Sequence, residues 1–197
     1  MIKIGILGGI GSGKSYVSKQ FGSPVFSADK EVKKIYKNRT YFNKLKKKIP
    51  KYIFSFPINK KEIGKAALAS QINLKKIVKI VHPIVRTRMN KFLQKNKSKK
   101  MVVLDIPLLL ENKINDKNFK LIFVDANKKE IQKRLKKRIN YNPKLFYKLK
   151  KLQLSLEIKK KKSDFIIKNN FKSSYIKKRV KMLKNKILNN ERNSFRY

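Results

Sequence analysis

The chain has 197 residues, enough for one substantial core with a small lobe or lid attached, and carries 54 Lys and Arg against 11 Asp and Glu, a formal charge of +43. It has no cysteine, which excludes disulfides and thiolate metal sites, and its single histidine, His82, cannot build a metal site alone. No apolar run approaches the roughly 20 residues that span a bilayer, and the best candidate, residues 101–110, is interrupted by Asp105 and Pro107.

The positive charge has two readings. It is either the electrostatic footprint of a polyanion binder or the mark of a genome drifting toward A and T. Lys, Ile and Asn, all with A- and T-rich codons, dominate the composition, and the lysines run along the whole chain. Drift is the better account, and charge alone decides little. The amino terminus has Lys3 and only a short apolar stretch broken by glycines, with no small-residue cleavage pattern, so a soluble cytoplasmic protein is expected.

In chain order, "IKIGIL" at 2–7 is rich in β-branched residues and ends at a glycine turn, which predicts a short buried strand. A helix is expected over 14–21, a second strand over 24–29 and a helix over 30–38. Interruptions at Pro50, Pro57 and Gly64 predict several short helices between 40 and 80, and Pro83 suits the first turn of a further helix to about 97. "KMVVLDI" at 100–106 and "FKLIFVDA" at 119–126 are apolar throughout, as strands of a sheet covered on both faces must be. Helices over 128–138 and 144–160, a fifth strand over 164–169 and a basic amphipathic helix over 173–190 complete the reading. Strands alternating with helices imply right-handed crossovers and a mainly parallel sheet.

Four of the seven glycines fall within residues 8–13, in "GGIGSGKS", which fits G-x-x-x-x-G-K-[ST]. A phosphate chain needs several donors at close range with no Cβ in the way, and the following helix offers unpaired N–H groups at its positive end. The amides of Gly11, Ser12, Gly13, Lys14, Ser15 and Tyr16 are expected around the phosphates. The Lys14 ammonium would reach the β and γ oxygens, and the Ser15 hydroxyl would help hold Mg²⁺. Asp29, at the carboxyl end of the second predicted strand, is either a base facing the γ-phosphate or a helix cap. Arg134 and Arg138, four apart on one predicted helix face, are either a phosphate-gripping pair or a solvated face. Asp105 is a candidate for assisting Mg²⁺ through water. Glu111 is a ligand contact or a solvated acid.

In this order, "GILGGIGSGKS", "SAD", "HPIV", "VLDIPLLLE", "VDA", "KRLKKR", "LQLSLEIK" and "SDFIIKNN" resemble the dephospho-coenzyme A kinase family over nearly the whole chain. The first of these is shared by phosphate-loop enzymes in general; "HP" followed by the strand and "PLLLE" is what separates this family from other small kinases. The resemblance implies an α/β, three-layer P-loop NTPase fold: a five-stranded parallel sheet, a helical substrate-binding lobe and a lid. The core is then expected over about 1–30, 100–134 and 160–197, the lobe over 31–98 and the lid over 135–158. It implies ATP-dependent phosphorylation of the ribose 3′-hydroxyl of dephospho-CoA, the last step of coenzyme A synthesis. Matching residues, Lys14, Asp29 and Arg138 are the catalytic set, with Asp29 as base. Gly9, Gly11, Ser12, Gly13, Lys14, Ser15, Tyr16 and Asn169 bind nucleotide. Asp29, His82, Pro107, Leu108 and Glu111 line the acceptor side, and Ser15 serves Mg²⁺.

The chain departs from the family pattern at Ser27, where Asp is usual, at Tyr16 for Thr, at Ile139 for an acid and at Phe171 for glycine, and it is about three residues short before Asp29. A nucleoside monophosphate kinase and a basic nucleic-acid-binding ATPase are the alternatives. No helix-turn-helix, RNA-binding aromatic signature or zinc pattern supports the second, and no specific nucleic acid or membrane partner is expected. Oligomeric state is not readable.

Overall fold

Apolar runs too continuous for a half-solvated strand become the inner strands of one sheet. The computed structural model describes residues 1–116, 118–138 and 141–194. In it β1 (Ile2–Leu7), β2 (Val25–Ser27), β3 (Met101–Asp105), β4 (Phe119–Ala126) and β5 (Phe165–Asn169) pair in the order β2-β3-β1-β4-β5. β1 lies parallel to β3, with Ile4 opposite Val103, and parallel to β4, with Gly5 opposite Leu121; β4 and β5 are also parallel. Parallel neighbours need crossovers, which the helices supply. These are α1 (Lys14–Gln20), α2 (Ala28–Tyr36), α3 (Arg39–Lys48), α4 (Lys60–Ala69), α5 (Gln71–Lys95), α6 (Lys128–Lys136), α7 (Pro143–Lys151), α8 (Leu156–Lys161) and α9 (Ser173–Ser194).

The chain divides into two units. The first comprises Met1–Phe26, Ser98–Tyr141 and the chain from Leu154 onward. Its core joins strand residues Ile4, Ile6, Val103 and Ile122 to Val17 of α1 and Ile176 and Val180 of α9. The second comprises Ser27–Lys97 and Asn142–Gln153 and has its own core of Ile35, Phe42, Leu45, Ile53, Ile77 and Val81. Helix starts follow from an Asn- and Ser-rich composition: Asn38, Asn59, Ser70, Asn127, Asn142 and Ser155 each cap a helix by accepting an amide of its first turn.

Four expectations are corrected. Pro83 lies inside a single 25-residue helix instead of opening a new one. The buried stripe Leu74, Ile77, Val81 and Met89 runs past it unbroken, and this packing outweighs the roughly 3 kcal/mol of an interior proline. The helix expected over 144–160 is two, α7 and α8, parted at residues 152–155 where Ser155 restarts the turn by accepting the Ile158 amide at 3.2 Å. α6 ends at Lys136, so Arg138 is not on the helix face of Arg134; its amide closes a turn onto the Leu135 carbonyl at 3.0 Å. The second strand stops at Ser27, which puts Asp29 in the first turn of α2.

Candidate active site

Between β1 and α1 the glycine loop turns inside the first unit. Gly13 caps α1 with φ +90°, and a Cβ there would run into the side-chain amide of Asn169. A glycine is required on both counts. Asn169 is 4% exposed. It donates through Nδ2 to the Ser12 carbonyl at 2.8 Å and accepts the Phe171 amide through Oδ1 at 2.8 Å. The side chain expected at the nucleotide thus also braces the end of β5 against the phosphate loop.

Lys14 is buried against the loop it follows, its Nζ donating to the Gly8 and Gly9 carbonyls at 2.9 and 2.7 Å. The Ser12 and Tyr16 amides already donate within the loop, to the Gly9 and Gly13 carbonyls at 3.2 and 3.0 Å. Two of the six amides expected at the phosphates are therefore engaged locally. The Ser12 hydroxyl oxygen is buried and, among the described residues, has no hydrogen-bond partner. A buried unsatisfied hydroxyl costs about 1–3 kcal/mol, a cost that an anion's oxygen in the loop would relieve.

The Ser15 hydroxyl donates to Oδ2 of Asp105 at 2.5 Å, and Asp105, closing β3, is 4% exposed. Hydroxyl and carboxylate are the hard oxygen donors Mg²⁺ takes, the remainder being substrate phosphate and water. Among the described residues no group of three or more His, Asp or Glu could hold a metal without them. The two residues fit Mg²⁺ on that basis.

Pro107 and Leu108 are half-buried in the turn after β3, and Leu109 and Leu110 are buried packing residues. Glu111 is not a solvated acid. Its side chain is 12% exposed, and Oε1 accepts the Leu154 amide at 2.8 Å and pairs with Lys159 Nζ at 2.9 Å.

Of the residues that line a cleft of about 320 Å³, sequence reading named Asn169 and missed Asp125, Ala126, Asn127, Lys168 and Asn170. These residues close β4 and β5, and the available signal was their position at the carboxyl ends of parallel strands, where ligands sit in such sheets. Nearby, Phe171 takes a left-handed backbone, φ +62°, and the exposed Arg134 holds its guanidinium 4.4 Å from the ring centroid. Tyr16 hydrogen-bonds Ser173 between their hydroxyls at 2.5 Å. Arg138 is exposed, and Ile139 lies outside the described residues.

Asp29 and His82 belong to the second unit. Asp29 is exposed on α2. The Tyr36 phenol, seven residues further along the same helix, is pushed up to about 12 by its burial and then by the Asp29 charge. His82 is half-buried on α5; burial and then the Arg86 charge hold its imidazole below the usual range.

A profile of the dephospho-CoA kinase family matches residues 2–174. The chain belongs to the dephospho-CoA kinase family. It is 34% identical over 184 residues to the dephospho-CoA kinase of Wolbachia pipientis wMel, covering 90% of this chain and 94% of that one. Among solved structures it is similar to TT1252 from Thermus thermophilus, with a TM-score of 0.76 and 25% identity, over 92% of this chain and 95% of that one. The fold is also that of the dephospho-CoA kinase from Campylobacter jejuni, with a TM-score of 0.65 and 22% identity, over 96% of this chain and 98% of that one. The α/β P-loop kinase fold and the kinase assignment read from the sequence stand on this dephospho-CoA kinase membership. Among the described residues no helix is long and apolar enough to cross a membrane.

Proposed function

We propose that the chain transfers the γ-phosphoryl group of ATP to the ribose 3′-hydroxyl of dephospho-CoA, in the cytoplasm, with Mg²⁺ on Ser15 and Asp105. The reading is carried by one arrangement: a glycine loop with a buried lysine ammonium, a buried hydroxyl with no partner among the described residues, and a hydroxyl–carboxylate pair at its exit. Bound there, Mg²⁺ would supply positive charge that neutralises the phosphates during transfer.

Lys14 sits at the loop mouth already stripped of bulk water, and exchanging loop carbonyls for phosphate oxygens lets it stabilise charge on the transferring group. Amides of the Gly11–Ser15 stretch and the Ser12 hydroxyl hold the phosphates, with Gly9 and Tyr16 flanking them. Asn169 keeps that loop in shape, and the cleft beside it takes the base. Asp29 accepts the acceptor's hydroxyl proton, since a carboxylate in hydrogen-bond reach is what this step requires. His82, Pro107 and Leu108 line the acceptor side, residues 31–98 form the substrate lobe, and residues 135–158 form a lid that brings Arg138 to the phosphates while excluding water.

A screen of acceptors with labelled ATP tests this. Label should move to dephospho-CoA; transfer instead to a nucleoside monophosphate would assign another kinase branch. ATP hydrolysis stimulated by DNA or RNA, with binding that falls steeply with salt, would favour the nucleic-acid ATPase.

A further inference from the structure

Lys159 is 1% exposed in a chain that keeps nearly all its lysines in water. Its ammonium lies 2.9 Å from Glu111, whose second carboxylate oxygen is also buried and, among the described residues, has no hydrogen-bond partner. Burying such a pair is poor value for stability, because desolvation of both charges offsets most of their attraction and a pair of apolar residues would serve as well. Its worth must be sought in geometry.

We infer that Glu111 and Lys159 are positioning residues for phosphoryl transfer, a buried pin that holds α8 against the phosphate loop; the inference rests on the kinase reading above. α8 has only six residues, too short to hold its place by helix propensity. Besides the Ser155 cap, the buried pin ties it down from within, whereas the half-exposed Lys160–Asp125 pair at 3.4 Å contributes little in water. Glu111 fixes both ends of this stretch at once, taking the Leu154 amide ahead of the helix and Lys159 within it.

Three residues before Lys159, Leu156 lays its side chain over Gly9, 3.5 Å from the point a Cβ would occupy there. The Gly9 carbonyl receives Lys14 Nζ at 2.7 Å. A contiguous chain of contacts thus runs from Glu111 through α8 and Leu156 to the backbone that seats the catalytic ammonium. Loss of the pin lets α8 drift, Leu156 lift and the loop relax, so ATP is held less well while the acceptor is held as before.

The test is a mutant cycle of Glu111→Gln and Leu156→Ala, with KM measured separately for ATP and dephospho-CoA and ATP affinity measured by calorimetry. Glu111→Gln keeps an acceptor for the Leu154 amide and removes only the charge. Each single variant should weaken ATP about tenfold with little change in the acceptor KM, and the double variant should be no worse than either, because both act on one contact chain. Glu111→Gln leaves Lys159 buried without its counter-charge; if it fails to fold, Glu111→Gln with Lys159→Met removes both charges together and should fold with ATP still weakened. A folded variant that loses only thermal stability and keeps both KM values would reduce the pair to a structural role and overturn the inference. So would a rise confined to the dephospho-CoA KM, which would make Glu111 an acceptor contact, or fully multiplicative effects. Failure of the wild-type protein to phosphorylate dephospho-CoA would remove the kinase reading, while calorimetric ATP binding would still decide for or against the pin.

Discussion

Replacing Gly13 by alanine should damage the phosphate loop through one identified neighbour. The backbone there has φ +90°, and an added Cβ meets Nδ2 of Asn169 at a distance no real pair adopts, so Asn169 must move. The left-handed conformation costs a non-glycine residue about 1–2 kcal/mol. Displacing Asn169 breaks its 2.8 Å bonds to the Ser12 carbonyl and from the Phe171 amide, at about 1 kcal/mol each. Gly13→Ala should therefore destabilise the loop by about 3–4 kcal/mol, and Asn169→Ala alone by about 2 kcal/mol from those two bonds. In the double variant the clash is gone and the bonds are lost only once, so the total should be about 3–4 kcal/mol, well short of the sum. Thermal unfolding and ATP KM of the four proteins provide the measurement. Additive losses would show that Gly13 and Asn169 do not act on each other and would refute the brace.

Lys14→Ala should lower turnover by about 10²–10³ or more, measured by coupled ADP release, because the chain's other lysines are not seated on the Gly8 and Gly9 carbonyls. Asp29→Asn should keep ATP affinity in calorimetry and lose about 10²–10⁴ in kcat if it is the base; equal turnover would take it out of the mechanism. Because the folded His82 titrates below its ordinary 6.5, the unfolded chain binds more protons there, so stability rises with pH up to about 6.5 and falls as pH drops below it. His82→Gln should flatten that acid-side slope in thermal melts between pH 5 and 7. The chain has one histidine, so a single imidazole NMR resonance can report the titration directly.

The sheet and the phosphate loop were legible because both are dictated by short-range chemistry. Runs such as "FKLIFVDA" are too apolar to face water on either side, and a loop that must cradle anions has few residue choices other than glycine. The family pattern then connected loop, "HP" and "PLLLE" into one activity. What the sequence could not carry were decisions made by partners distant along the chain. Pro83 reads as a helix start, yet a buried stripe on both sides of it keeps α5 continuous. Glu111 reads equally as a ligand contact or a solvated acid, and the second reading falls only when Lys159, 48 positions later, is brought to 2.9 Å. Asn169 reads as a nucleotide residue, and only the fold, which sets β5 beside Gly13, turns its amide onto the Ser12 carbonyl as well. In each case the deciding partner lies far along the chain, where local propensity and composition carry no information about it. The sequence by itself thus determined that this protein holds a nucleoside triphosphate; only the tertiary structure decided which side chains keep that cradle in shape.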